Sequence, residues 1–317
     1  MISVVIPLYN KEHTITRTLG TVLNQTYKDF EVVIINDGST DNGVSVIQNF
    51  STDSRIKIIN QSNQGVSVAR NEGVRNATYE YVAFLDGDDE WLPNYLSKMY
   101  EAIQKFPNAG LFCCAGKVRS GGKDYLRQAD KYKNSIVEID FFENPHVFVH
   151  TSATVVKKSE FSKTQGFPVG MKRNQDFALF FALALHTKTV FCGFPLSIYV
   201  GDVEGQATKA PFITVREHVC RRYNVVHKAW FDLGQANKTY LIFTKYELRH
   251  FFRGFLMKNE YDNIMFFRNN LEENLVHKFP SLEWVLYRKS FFKKFAILYI
   301  NFTKLRWRLR GYPRLNY

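Results

Sequence analysis

Four acids, Asp86, Asp88, Asp89 and Glu90, stand within five positions at the end of an apolar run from Tyr81 to Leu85. Carboxylates crowded at the end of a buried strand are costly, because like charges repel and burial disfavours each ionised form. A divalent cation relieves both problems. Hard oxygen ligands suit Mg2+ or Mn2+, which take one or two carboxylates and complete their shells with water and substrate phosphates. The same residues also suit a solvated turn, since Asp and Gly are turn formers. The elements around the cluster must decide between the two.

Apolar runs at Ser3–Pro7, Phe30–Ile35, Ile56–Asn60, Tyr81–Leu85 and Leu111–Ala115 read as strands. Between them lie stretches of helical spacing at 13–25, 42–49, 65–77 and 96–106. This alternation predicts an α/β fold, a mostly parallel sheet flanked by helices. Ligands of such sheets bind beyond the C-terminal strand ends. The loops Pro7–Glu12, Asp37–Asp41, Asn60–Gly65 and Asp86–Asp89 would all lie on that edge. Neither a Gly-x-Gly-x-x-Gly turn nor a Walker loop follows the first strand, which argues against NAD and P-loop chemistry. A sugar nucleotide, its diphosphate neutralised by a metal at the acids, remains.

Four segments together then become specific: Val4 to Asn10 (VVIPLYN), Asn36 to Asp41 (NDGSTD), Asn63 to Gly73 (NQGVSVARNEG) and Leu85 to Asp89 (LDGDD). In order and spacing this set resembles glycosyltransferase family 2, over roughly the first 115 residues and weakly to about residue 210. The resemblance implies a GT-A (nucleotide-diphospho-sugar transferase) fold and an inverting, non-processive, bacterial-type transferase that uses a UDP-sugar. It implies a nucleotide site at Pro7, Tyr9, Asn10, Glu12, Asp37, Ser39, Asn63, Gly65, Arg70, Asp86 and Gly87. Asp37 would accept from a uracil N3–H, or be only a turn or cap residue. Tyr9 would stack on the base and Glu12 hold the ribose. Ser39 would cap the next helix or touch the nucleotide. Arg70 would reach the diphosphate or orient an aspartate, or make a surface ion pair. Asp88 would ligate Mn2+ or Mg2+. Asp89, Trp91, His150 and Gln175 are candidates for the sugar and acceptor side, with Trp91 open to a core role and His150 to a structural one. The general base falls on Asp176, after Gln165–Pro168; Gln175 stands where the family has Glu. The family's further His ligand has no counterpart between Tyr199 and Thr208, and the Gln-x-x-Arg-Trp motif of processive synthases is missing.

The 317 residues bound one large domain or two, and 45% apolar content argues against disorder. Cys113, Cys114, Cys192 and Cys220 match no zinc spacing, and reduced thiols in a cytosolic chain are the simple reading. The strand pattern begins at once after Met1, so no leader is expected. The predicted organisation is a catalytic domain at 1–210, with a nucleotide half (1–115) and an acceptor half (116–210), then a helical extension at 211–283 and a basic aromatic tail at 284–317. Helices are expected at 215–233, 240–257 and 261–279. Net charge is +12; from Trp284 to Tyr317 there are nine Lys and Arg and no acid. Phe291, Phe295, Leu298, Phe302, Leu305 and Leu309 form a stripe in that tail. Basic residues interleaved with Phe suit the surface of an anionic membrane, with a glycan or lipid-linked acceptor and a peripheral position at the inner face. Polysaccharide synthesis at the cell surface is the expected setting. A homo-oligomer is left open. Two competing readings are a UDP-sugar-binding protein without turnover and a nucleic-acid-binding protein driven by the basic tail; no reader motif supports the latter, and no nucleic acid is expected.

Overall fold

The computed structural model describes residues 1–128, 130–144, 149–202 and 211–309. The end of the expected catalytic domain, at 203–210, and the last eight residues therefore lie outside the described residues. The chain divides into two units, Met1–Ile139 with Val147–Thr208, and Asp140–His146 with Lys209–Tyr317.

The first unit begins with β1 (Ile2–Leu8), α1 (Ile15–Leu23), β2 (Phe30–Asp37), α2 (Gly43–Phe50), β3 (Ile56–Gln61), α3 (Val66–Asn76) and β4 (Tyr81–Phe84). It continues through β5 (Glu90–Trp91), α4 (Tyr95–Lys105), β6 (Ala109–Ser120), β7 (Lys123–Arg127), β8 (Ile136–Ile139), β9 (Thr154–Lys157), α5 (Lys158–Phe161), α6 (Gln175–His186) and β10 (Lys188–Val200). The strands form one sheet in the order β3-β2-β1-β4-β9-β6-β10-β5, with β7 added to β6 and β8 to β10. The first four strands are parallel, as the βαβ pattern predicts. Beyond β4 the sheet is mixed: β9 runs antiparallel between β4 and β6, and β5 and β8 run antiparallel to β10. This reversal brings residues 149–153 next to the end of β4.

Ile2, Val4, Val5 and Ile6 of β1 are fully buried, as are Val32 to Ile35 of β2, because helices cover both faces. Gly73 sets how closely α3 lies on the sheet. A Cβ there would come within 2.1 Å of Val5 Cγ1, so only glycine allows the approach. That approach brings Arg70, one turn earlier, to the end of β4.

The second unit is helical: α7 (Phe212–Asp232), α8 (Lys238–Lys258), α9 (Tyr261–Asn270), α10 (Glu273–Val276), α11 (Ser281–Arg288) and α12 (Lys293–Leu309). The helix expected over 261–279 is broken at Leu271. Asn224 of α7 explains the break: its amide donates to Asn270 O (2.7 Å) and its carbonyl accepts from Glu272 N (2.9 Å), satisfying backbone groups that the interrupted helix leaves over. The expected separation between an extension and a tail at 284 is not seen. Trp284, Tyr287, Ala296 and Ile300 share one core with Leu248, Phe252, Ile264 and Phe267.

Candidate active site

The four polar loops predicted on one sheet edge are tied to one another. Asn10 donates its N–H to Ser39 Oγ (3.2 Å), and its side-chain oxygen accepts from Thr40 N (2.8 Å). Asn10 has φ +51, a left-handed conformation that Asn tolerates. Glu12 N–H donates to Asp41 Oδ2 (2.8 Å), and Glu12 Oε2 accepts from Asn42 N (2.9 Å). Tyr9, which precedes them, is 47% exposed.

Asp37 ends β2 and is 3% exposed. Its carboxylate accepts from Gln61 Nε2 (2.7 Å), Gln64 N (2.9 Å) and Gly65 N (2.8 Å). Three of roughly four acceptor positions are thus used inside the protein, leaving about one. Gly38 follows at φ +71, where a Cβ would stand 2.7 Å from Asn63 N; the loop from β2 can pass Asn63 only as glycine. Ser39 N–H donates to Asn36 Oδ1 (3.1 Å), so Ser39 is part of this turn rather than a helix cap.

The acidic cluster is held from behind by α1. Thr14 Oγ1 donates to Gly87 O (2.8 Å), Thr18 Oγ1 donates to Asp89 O (2.8 Å), and Thr21 Oγ1 accepts from Trp91 N (3.2 Å). These threonines stand at i, i+4 and i+7, one face of a helix. Arg17 adds a bond to Asp88 O and an ion pair with Glu90 (2.8 Å), which Arg119 also grips.

With its backbone fixed in this way, the cluster divides into acids of two kinds. Asp86 and Asp88 pair with cations: Arg70 Nη2 lies 2.6 Å from Asp86 Oδ1, and Lys11 Nζ lies 2.6 Å from Asp88 Oδ2. Asp89 turns inward. It is 1% exposed, accepts from Ser152 Oγ (2.5 Å) and Val200 N (3.0 Å), and lies 3.8 Å from His150 Nδ1. Burial, then the charges of Asp86 and Asp88, push its carboxyl well above the usual range. Ser152 Oγ also accepts from Asp86 N (3.1 Å), so Ser152 joins the two kinds of acid.

The structure places three of the sugar-side candidates inside the protein, with Trp91 and His150 in the core and structural positions that the sequence also allowed. Asp89 is an internal anchor, because both its oxygens are spent on Ser152 and β10. Trp91 is a core residue, 3% exposed, stacked on Tyr95 at 3.9 Å and donating Nε1–H to Ser152 O (2.6 Å). His150 is packed beneath the cluster, its Nε2 3.1 Å from Ser197 Oγ, and burial lowers its pKa to about 4, so that it is neutral at pH 7.

Asp176 lies at the start of α6, after Asn174 in a left-handed conformation (φ +63). Its Oδ1 accepts from Phe177 N (2.8 Å). Asn71, the neighbour of Arg70 on α3, clamps the preceding segment through both backbone groups of Phe167 (each 2.9 Å). One helix therefore positions both Asp86, through Arg70, and the approach to Asp176. Burial raises the Asp176 carboxyl above the usual range; Arg70 opposes this shift and Asp86 adds to it. The guanidinium of Arg70, 4% exposed and 5.2 Å from the Phe167 ring centre, thus lies within electrostatic reach of two acids 90 positions apart. Its Nε and Nη1 have no hydrogen-bond partner among the described residues, and neither has Gln175 Oε1 beside the candidate base.

Lys11, Thr14, Thr18, Thr21, Ser152 and Arg119 were not foreseen in these places. The threonine spacing was a usable signal, whereas nothing local marks Ser152 or Arg119.

The chain is similar to known proteins. The family model for glycosyl transferase family 2 matches residues 3–162. Glycosyltransferase GlyA of Streptococcus pneumoniae is 41% identical over 106 residues, 33% of this chain and 15% of that protein. The uncharacterized glycosyltransferase YibD of Escherichia coli is 42% identical over 103 residues, 32% of this chain and 29% of its own length. The matches therefore span well under half of these two curated relatives. Among solved structures, S. aureus TarS in complex with UDP-GlcNAc aligns at a TM-score of 0.65 and 17% identity, covering 99% of this chain and 93% of that one. The mannosyltransferase PcManGT from Pyrobaculum calidifontis, in complex with GDP-Man and Mn2+, aligns at 0.51 and 19% identity, covering 75% and 65%. At such identities the likeness is one of fold.

Proposed function

Because this chain belongs to glycosyl transferase family 2, we propose that it moves one sugar from a UDP-sugar to a hydroxyl of a glycan or lipid-linked acceptor, with inversion, in cell-surface polysaccharide synthesis. The observation that carries this reading is the ion pair of Asp86 with the buried guanidinium of Arg70, whose charge also bears on Asp176. A donor diphosphate at the end of β4 would lie in the field of the Arg70 guanidinium that holds Asp86. An acceptor hydroxyl would find Asp176.

In this reaction the Asp176 carboxylate takes the proton of the acceptor hydroxyl as its oxygen bonds to the anomeric carbon, and the bond to the diphosphate breaks on the opposite face. A carboxyl raised above its ordinary pKa is the stronger base once ionised. The internal donors of Asp37 leave it about one acceptor position for a uracil N3–H, and Tyr9 offers a ring for the base. Asp86 and Asp88 fit a divalent metal: they are hard oxygen donors at a place where positive charge is already favoured, as Lys11 and Arg70 attest. Among the described residues no three metal-ligating side chains converge, so donor phosphates and water would complete the shell. Such a cation supplies neutralisation of charge on the leaving diphosphate.

Calorimetric titration with UDP, with and without Mn2+, tests the donor site. Asp176→Asn should leave UDP affinity unchanged and lower transfer by about 10²–10⁴-fold. Undiminished transfer would remove Asp176 as the base, and UDP binding indifferent to metal and to Asp88→Ala would remove the donor site.

A further inference from the structure

The second unit has a surface for which the transfer reaction has no use. Phe291, in the short turn before α12, and Phe295, Leu298, Phe302, Leu305 and Leu309 on α12 recur at intervals of four and three residues, so they fall on one stripe. All are more than half exposed, from 51% for Leu305 to 82% for Phe291. The helix is not short of a packing face. Ala296, Ile300 and Trp307, on its opposite side, are buried, and Trp307 stacks on Tyr246 of α8 at 4.2 Å. The helix thus carries two apolar faces, one of them covered by its own unit and the other left open. An open stripe of six large apolar side chains marks an interaction surface.

Its borders say which kind. At 100° per residue, the exposed Lys294 and Arg306 fall about 60° to either side of the stripe's centre, and the exposed Arg308 lies just beyond Lys294. There is no acid on α12, nor anywhere from Trp284 to Tyr317. A second copy docked symmetrically on this face would set basic rim against basic rim. Nucleic acid would meet the rims but would leave the leucines between them uncovered. An anionic bilayer satisfies both: acyl chains take the stripe, and lipid phosphates take the rims.

We propose that this face of α12 lies in the headgroup layer of an anionic lipid bilayer, with Phe295, Leu298 and Phe302 directed inward and Lys294, Arg306 and Arg308 at the level of the phosphates. Among the described residues no helix is long and apolar enough to cross a membrane, so the contact is one of a helix lying on the surface. The inference goes beyond the transfer reaction, and vesicle binding needs neither donor nor metal, so either can fail without the other.

The test is flotation of the full chain with vesicles of phosphatidylcholine alone and of phosphatidylcholine with phosphatidylglycerol. The chain should float with the anionic vesicles and much less with the neutral ones. Replacing Phe295, Leu298 and Phe302 together by serine should lower partitioning by about a hundredfold or more, and Lys294→Glu with Arg306→Glu by about tenfold or more. Unchanged thermal unfolding and UDP titration would show that both variants are folded. Equal partitioning of the serine variant, or failure of the full chain to float, would overturn the proposal. So would a dimer in sedimentation equilibrium that the serine variant dissolves, or a salt-sensitive shift of RNA without flotation.

Discussion

The loops after β2 and β4 flank the same central strand and both present aspartates, yet they satisfy them differently. After β2, Asp37 takes two backbone amides and the side-chain amide of Gln61, and Asp41 takes the backbone amides of Glu12 and Gly43. After β4, Asp86 and Asp88 take the side chains of Arg70 and Lys11. Backbone amides cannot leave without unmaking the loop. A long cationic side chain can turn elsewhere at little cost when part-exposed, as Lys11 is, whereas Arg70 is buried against Asp86. The first loop is frame, and the second holds at Asp88 a charge whose partner can be exchanged for that of a ligand. Asp89, although it stands in the second loop, belongs with the frame.

Substitutions should separate the two. Asp88→Ala is expected to have the largest effect on turnover, a fall of about 10²–10⁴-fold with loss of the metal dependence of UDP binding. Its stability in urea should change by no more than about 1 kcal/mol, the worth of a part-exposed ion pair. A large loss of stability would place Asp88 in the frame as well. Asp37→Ala should do the reverse first. It removes the acceptor of the Gln61 side chain and of the Gln64 and Gly65 amides, and unfolding free energy should fall by about 1–3 kcal/mol. If its urea midpoint does not move, the contrast between the loops is wrong.

The dependence of transfer on pH sharpens the roles further. Asp176 has its folded carboxyl raised, chiefly by burial. The base form is therefore lost as pH falls through a value above the ordinary carboxylate range, and the acidic limb of kcat should lie there. Removing the positive charge by Arg70→Met should move that limb upward, because Arg70 holds the carboxyl down. A limb that stays in place would separate Arg70 from the base.

Much of this arrangement was legible in the chain because it is local. Each apolar run of the first half ends in a polar loop, and parallel strands connected by helices must turn those loops to one edge. That puts the loops of Asp37, Asp86 and Asp88 on one edge, while the roles expected of these residues rest on the resemblance. What the sequence hides is set by pairing at long range. Strand β9 returns antiparallel between β4 and β6, and no property of Thr154–Lys157 announces this; with it come Ser152 and His150, under the acids. Asp89 looks like its neighbours until one knows that Val200 and Ser152 face it. Trp91 is drawn into the core by Tyr95, four positions along the chain. In the helical unit, periodicity ran through 271 because the amide of Asn224, which holds the break open, lies on another helix. The threonines at 14, 18 and 21 are the opposite case, a local signal with a long-range use.

Lys11 offers the finest test of the contrast. Its amine is 2.6 Å from Asp88 Oδ2, and its side chain is 25% exposed. If this lysine only neutralises Asp88 until a ligand cation takes over, the two compete for one carboxylate. Lys11→Met then removes the competitor, and Mn2+ added without nucleotide should bind about two- to fivefold more tightly, the equilibrium worth of up to about 1 kcal/mol. Electron paramagnetic resonance of free Mn2+ measures this with no turnover. Weaker binding would mean that the ammonium holds Asp88 in the orientation a metal needs, and would move Lys11 from exchangeable partner to frame. Tighter binding, with urea stability unchanged, would leave Asp88 as an acid whose cation can be replaced, which is what separates its loop from that of Asp37.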